Sequence, residues 1–187
     1  GPCAARVIAS ANADFPVGSR VCTIGNWQDY DIVSEARALI RRIPDGFSFI
    51  EALGPVGMNA LTAYFGVLEI GKPKAGETVL VSGAAGSVGT VATQIAKILG
   101  CRVIGIAGGR AKCTWLVEHG CVDHVIDYKA EDVAASVAAL SPEGIDIYFD
   151  NVGGATLQAA IDNMAREGRV ILCGQISGYN DGATENR

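Results

Sequence analysis

Thr78-Val79-Leu80-Val81-Ser82-Gly83-Ala84-Ala85-Gly86-Ser87-Val88-Gly89 is the stretch on which the fold turns. An apolar run over 78–82 leads into three glycines spaced G-x-x-G-x-x-G. A helical stripe of Val88, Val91, Ala92, Ile95, Ile98 and Leu99 then begins before the last of them. A strand without polar alternation is one buried on both faces. Glycines leave room for a backbone to approach an anion, and the helix that follows turns its N–H groups and positive dipole end to the same place. The spacing departs from the common G-x-G-x-x-G and by itself describes an ordinary strand-to-helix turn. Its position inside a strand-turn-helix-strand unit favours a pyrophosphate site.

The alternation continues to residue 173. Strands are predicted over 102–106, 124–127, 145–149 and 169–173, with helices near 110–118, 131–140 and 155–165. Apolar strands separated by helices imply crossover connections and a parallel sheet covered on both sides. The fold class is α/β, a Rossmann-type doubly wound parallel sheet of about five strands.

Upstream, residues 5–10, 15–18, 20–25 and 31–34 read as short β segments divided by turn signals, too few to close a sheet of their own. Ser48 and Glu51 have capping-box spacing, and Leu61, Phe65 and Leu68 recur at helical intervals up to Gly71. Of the 187 residues 49% are hydrophobic, 19% are charged and 24 are glycine, a composition that excludes disorder. A net charge of −5 without a Lys/Arg cluster excludes a nucleic-acid partner. No apolar run reaches the roughly 20 residues of a membrane helix, so no membrane partner is expected. The six cysteines (Cys3, Cys22, Cys101, Cys113, Cys121, Cys173) form no C-x-x-C pair and read as reduced thiols of a cytoplasmic protein.

Three segments carry candidate chemistry. Where a dinucleotide fold binds a free ribose 2′-hydroxyl, an acid stands about 20 positions after the glycines. Here that end reads Ala107-Gly108-Gly109-Arg110-Ala111-Lys112, with two cations and no carboxylate. Arg110 and Lys112 would give a 2′-phosphate charge-assisted hydrogen bonds, although cations on a helix's first turn are also ordinary solvated charges. Asp150-Asn151-Val152-Gly153-Gly154 and Cys173-Gly174-Gln175-Ile176-Ser177-Gly178-Tyr179-Asn180 follow the fourth and fifth strands, where such sheets bind ligands, and each reads equally as a plain turn. An Asn side chain can hydrogen-bond ribose or nicotinamide, and a Tyr hydroxyl can donate to a developing oxyanion. His119, Cys121 and His124 match no ordinary zinc spacing, and residues 18–51 contain one cysteine, Cys22, rather than a four-cysteine lobe, so no metal is expected. Trp27 and Trp115 read as packing residues.

The chain resembles the zinc-independent medium-chain dehydrogenase/reductases, and within them the leukotriene B4 dehydrogenase, prostaglandin reductase and plant double-bond reductase group. The resemblance rests on Gly57-Met58-Asn59-Ala60-Leu61-Thr62-Ala63-Tyr64-Phe65-Gly66, Lys72-Pro73-Lys74-Ala75-Gly76-Glu77-Thr78, the glycine turn, Ala107-Gly108-Gly109, Asp127-Tyr128-Lys129, and residues 149–154 and 173–180. Asn26-Trp27-Gln28 departs from the familiar Gly-Trp-Gln.

This resemblance implies an NADPH-dependent reductase of the C=C bond of α,β-unsaturated carbonyl compounds, working by direct hydride transfer. NADP(H) is the implied cofactor. The pyrophosphate contacts implied are Gly83, Ala85, Gly86, Ser87, Val88 and Gly89, and the 2′-phosphate pocket is Gly108, Arg110, Lys112 and Tyr128. Asn151, Cys173, Gly174, Ile176 and Ser177 resemble nicotinamide-side contacts, and Tyr179 corresponds to the catalytic tyrosine that, with the nicotinamide ribose hydroxyl, stabilises the enolate. Residues 1–50 would be the C-terminal remnant of a GroES-like catalytic β domain, and residues 51–187 an NADP(H)-binding domain truncated before its last strand, whose uncovered edge favours a homodimer. The partners implied are small-molecule enones, enals or quinones. Two rival readings keep the same fold: a ζ-crystallin-type quinone reductase, and a truncated NADP(H)-binding module without turnover.

Overall fold

Val79, Val81, Val103, Ile147 and Phe149 point to one face of their strands, while Leu80, Ile104, Ile106 and Tyr148 point to the other, and both sets are buried. Strands with two apolar faces require cover on each side. The computed structural model of the chain, which describes residues 1–34 and 39–180, supplies that cover. The chain divides into two units, Gly1–Asn59 and Ala60–Arg187.

In the second unit five parallel strands, β4 (Thr78–Val81), β5 (Arg102–Ala107), β6 (His124–Asp127), β7 (Ile145–Asp150) and β8 (Met164–Leu172), lie in the order β6-β5-β4-β7-β8. α3 (Gly89–Ile98) and α4 (Arg110–His119) pack on the Val79/Val81 face through Ala92, Ala96 and Leu116. α5 (Val133–Leu140) and α6 (Gly154–Ile161) pack on the Leu80/Ile104 face through Val137 and Ala160. The expected α/β doubly wound sheet is thus the one observed.

Several details differ from expectation. In the stripe of α3, Val88, Val91, Ala92, Ile95 and Leu99 meet the core, but Ile98 is 83% exposed and Ala96 takes its place. Helix α2 (Met58–Phe65) runs into a π-helical stretch, Gly66–Gly71, whose buried side chains are Ala60, Ala63 and Val67, whereas Leu61 and Phe65 are exposed. Small residues let that helix lie close to the sheet. α6 stops at Ile161, where the Asn163 side-chain amide donates to the Ala159 carbonyl (2.8 Å), and β8 starts at Met164 with a register shift against β7 between Ile145 and Ile147.

The first unit forms an antiparallel three-stranded sheet, β1 (Pro2–Arg6), β2 (Arg20–Ile24) and β3 (Ile40–Arg42), in the order β1-β2-β3. Residues 15–18 and 31–34 are not strands, and the segment expected over 5–10 pairs instead over Pro2–Arg6. The sheet ladder selects residues opposite β2, whichever way the local apolar pattern points. α1 (Phe49–Leu53) carries the predicted capping box: the Glu51 N–H donates to Ser48 Oγ (3.1 Å) and the Ser48 N–H to Glu51 Oε2 (2.8 Å). Trp27 does not pack: it is fully exposed, and Trp115 is partly so. Among the described residues no helix is long and apolar enough to cross a membrane.

Candidate functional site

The chain builds β4, β5 and β6 outward in one direction and then returns to lay β7 and β8 on the other side of β4. The reversal puts a topological switch point at the carboxyl ends of β4 and β7, the crevice position at which open α/β sheets hold ligands. Three of the predicted segments meet there: residues 83–89 after β4, 151–154 after β7 and 173–179 after β8.

The glycine turn is tight. The Gly86 N–H donates to the Gly83 carbonyl (2.9 Å) and the Thr90 N–H to the Gly86 carbonyl (2.9 Å). A Cβ on Gly89 would stand 2.3 Å from the Gly83 oxygen and 2.7 Å from Ala84 Cα, so only glycine can start α3 this close to the turn. Ala85 and Val88 direct their side chains to the core, leaving their backbone for a ligand, while Gly86 and Ser87 are exposed. The N-caps of α3, α4 and α6 (Val88, Gly109 and Gly153) provide no side-chain cap, in contrast to Asp132 at α5. Those three helix starts flank the predicted binding loops; α3 and α4 can offer N–H groups to phosphate, whereas at α6 the Val152 and Gly153 N–H groups donate to Asp150 Oδ1.

At the ends of β5 and β6, the Tyr128 ring lies against Gly108: a Cβ there would be 2.5 Å from Tyr128 Cε1. Arg110 and Lys112 are exposed on the first turn of α4, and neither enters an ion pair among the described residues. The expectation that no carboxylate stands here holds for β5, but the neighbouring strand brings Asp127, which the sequence reading assigned no role. Its Oδ1 accepts the Gly109 N–H (2.8 Å) and the Lys129 N–H (3.0 Å), and these bonds hold its carboxyl below the usual range. The pattern shows an acid at a strand end; only the parallel pairing of β5 with β6 shows that it shapes the Gly108-Gly109 turn.

The loops expected on the nicotinamide side hang on the end of β7. Asn151 donates its N–H to Ser82 Oγ (2.9 Å) and its Nδ2 to the Ser82 carbonyl (2.7 Å), joining the two sides of the crevice. The Cys173 and Gly174 N–H groups both donate to the Asp150 carbonyl (2.8 and 3.0 Å), and Ser177 Oγ donates to the Val152 carbonyl (2.6 Å). Ile176–Gly178 form a short 3₁₀ turn with Ile176 exposed, and Tyr179, 69% exposed, places its hydroxyl against Gly174. Burial, followed by the charge of Asp150, pushes the Cys173 thiol above its usual range, so this sulfur lines the loop as a thiol. Ser82 and Asp150 were not singled out from sequence; a buried hydroxyl and carboxyl at adjacent strand ends were the signal. No three His, Cys, Asp or Glu side chains cluster as metal ligands among the described residues.

A family model described as zinc-binding dehydrogenase matches residues 87–185. Prostaglandin reductase 1 of Bos taurus is 45% identical over 179 residues, covering 94% of this chain and 54% of that protein. The NADPH-dependent curcumin reductase of Escherichia coli is 41% identical over 186 residues, covering 99% of this chain and 53% of that protein. Among solved structures, CurA of Vibrio vulnificus in complex with NADPH superposes with a TM-score of 0.89 at 43% identity, over 100% of this chain and 55% of that one. The chain thus spans about half the length of the relatives it matches.

Proposed function

Since the chain belongs to the zinc-binding dehydrogenase family, in the zinc-independent medium-chain dehydrogenase/reductase branch of the prostaglandin reductases, we propose that the protein reduces the C=C bond of α,β-unsaturated carbonyl compounds with NADPH. The observation that carries this reading is the topological switch point, where the residue 83–89, 151–154 and 173–179 loops converge, with Arg110 and Lys112 following the adjacent β5 and free of ion pairs among the described residues.

The residues fit NADP(H). The helix start without a side-chain cap at Val88 suits the pyrophosphate, and Arg110, Lys112 and the Tyr128 ring over Gly108 suit a 2′-phosphorylated adenosine. Gly83, Ala85, Gly86, Ser87, Val88 and Gly89 would hold the pyrophosphate. Asn151 and residues 173–177 would orient the nicotinamide. Asp127, by accepting the Gly109 and Lys129 N–H groups, would hold the Gly108-Gly109 turn that leads to Arg110 and Lys112. Bound NADPH would supply the hydride. Tyr179 would place its hydroxyl at the substrate carbonyl oxygen, donating to the negative charge that grows there as the β-carbon is reduced.

On this reading residues 1–50 belong to a GroES-like catalytic domain and residues 51–187 to the nucleotide-binding domain. The six free cysteines suit the reducing cytoplasm, and the outer edge of β8 suits pairing with a second copy. NADPH oxidation measured with an alkenal, with a quinone and with neither tests the proposal. Turnover with the alkenal above the other two supports it. Turnover with the quinone alone would favour the ζ-crystallin-type reading, and NADPH binding without any turnover would favour the binding-module reading.

A further inference from the structure

Asp150 is wholly buried at the end of β7, and its Oδ1 accepts four hydrogen bonds: from the Tyr148 hydroxyl (2.7 Å), Ser82 Oγ (3.1 Å), the Val152 N–H (3.0 Å) and the Gly153 N–H (3.0 Å). Its other oxygen, Oδ2, is buried with no hydrogen-bond partner. A half-unpaired buried carboxyl is a poor way to stabilise a core, since an apolar residue of similar size would avoid the desolvation. The donors it gathers come from both sides of the crevice. Ser82 follows β4 and opens the glycine turn, Val152 and Gly153 form the turn into α6, and the main-chain carbonyl of Asp150 carries the 173–174 loop. Asn151 is tied to the same hydroxyl, because Ser82 Oγ accepts the Asn151 N–H while donating to Asp150.

We propose that Asp150 is a positioning residue: through Oδ1 it locks Ser82 and the Val152-Gly153 turn in one arrangement, and so fixes where Asn151 and the 173–179 loop meet the nicotinamide half of the nucleotide. The inference rests on the NADPH reading above and deepens it. No hydrogen bond links this network to Gly108, Arg110, Lys112 or Tyr128 among the described residues, so the adenosine half is held independently.

That independence separates positioning from general stability. Calorimetric binding of NADPH and of adenosine 2′,5′-bisphosphate, which lacks the nicotinamide half, is to be compared for the unaltered chain, Ser82→Ala, Asn151→Ala, the double variant and Asp150→Ala. We expect Ser82→Ala and Asp150→Ala each to weaken NADPH about tenfold and the bisphosphate less than about threefold. Ser82→Ala should add little once Asn151 is already Ala, because the two act as one unit. Equal weakening of both ligands, or unchanged affinity for both, would overturn the inference, as would full additivity in the double variant. Should Asp150→Ala not fold, Ser82→Ala and the cycle decide. Failure of the unaltered chain to bind NADPH would overturn the functional reading and this inference with it; binding by the unaltered chain with unchanged variants would overturn this inference alone.

Discussion

On the proposed reading, cofactor choice depends on Lys112 and Arg110. Both stand exposed on the first turn of α4 with no acidic partner among the described residues, and the nearest acid at that turn, Asp127, is occupied by the Gly109 and Lys129 N–H groups. A hydrogen bond to a charged group contributes about 1.5 to 3 kcal/mol. Lys112→Ala should therefore weaken NADPH about ten- to hundredfold and leave NADH nearly unchanged, as measured by titration with each; equal loss for both would assign Lys112 to the helix surface. Tyr179 differs in kind. Its hydroxyl rests on Gly174 in an exposed loop, where nothing in the packing requires it. Removing a donor to a developing oxyanion costs about 2.7 to 4 kcal/mol, less where a second donor remains. Tyr179→Phe should lower kcat for an alkenal at least about tenfold while changing NADPH affinity less than about threefold; unchanged kcat would make the residue a packing element. Position after a strand end marked Arg110, Lys112 and Asn151 as candidates, and the family resemblance marked Tyr179. Neither found Ser82, Asp150 or Asp127, whose roles arise from hydrogen bonds across strands far apart in sequence.

Elements were legible in proportion to how strongly their own sequence determines them. The strands β4, β5 and β7 announce themselves as apolar runs buried on both faces, β6 is a short edge strand with Ile126 alone buried, and α1 announces its start through Ser48 and Glu51. β3 does not, because Ile40-Arg41-Arg42 carries no apolar run and is a strand only through its ladder with β2. The start of β8 was hidden likewise: Met164 and Ala165 continue the helical pattern of α6, and the Asn163 amide that ends the helix acts through a side-chain bond. Helix α3 shows the same limit, since its large Ile98 faces outward while small Ala92 and Ala96 lie under it at 0% exposure. Helix-to-sheet distance here is set by small residues, which hydrophobic size does not reveal. Ile98→Ser should leave stability within about 0.5 kcal/mol. Ala96→Leu should cost about 1 to 3 kcal/mol through overpacking, checked by urea unfolding; the reverse order would mean that α3 is rotated.

At the scale of the molecule, ion pairs bind the strand ends. Burial raises the Glu77 carboxyl, but the hydrogen bond and charge of Arg169, with the Lys74 N–H, hold it below its usual range; Asp123 is likewise lowered, burial being outweighed by Lys97 and the Val103 N–H. A carboxyl depressed in the folded state contributes stability above its unfolded value and loses it as pH falls through the folded one. The thermal midpoint should hold steady from neutral pH to about pH 4.5 and fall below it, less steeply for Arg169→Met; a midpoint rising on acidification would contradict these pairings. The proposed activity belongs to the whole molecule: a hydride delivered at the switch-point crevice to carbon conjugated with a carbonyl. NADPH bearing deuterium at the transferring carbon, supplied to the protein with an alkenal, tests this most directly by mass spectrometry and NMR of the product. The account predicts a saturated aldehyde carrying the deuterium on its β-carbon. Deuterium on the carbonyl carbon of an allylic alcohol, or unlabelled alkenal beside a reduced quinone, would contradict it.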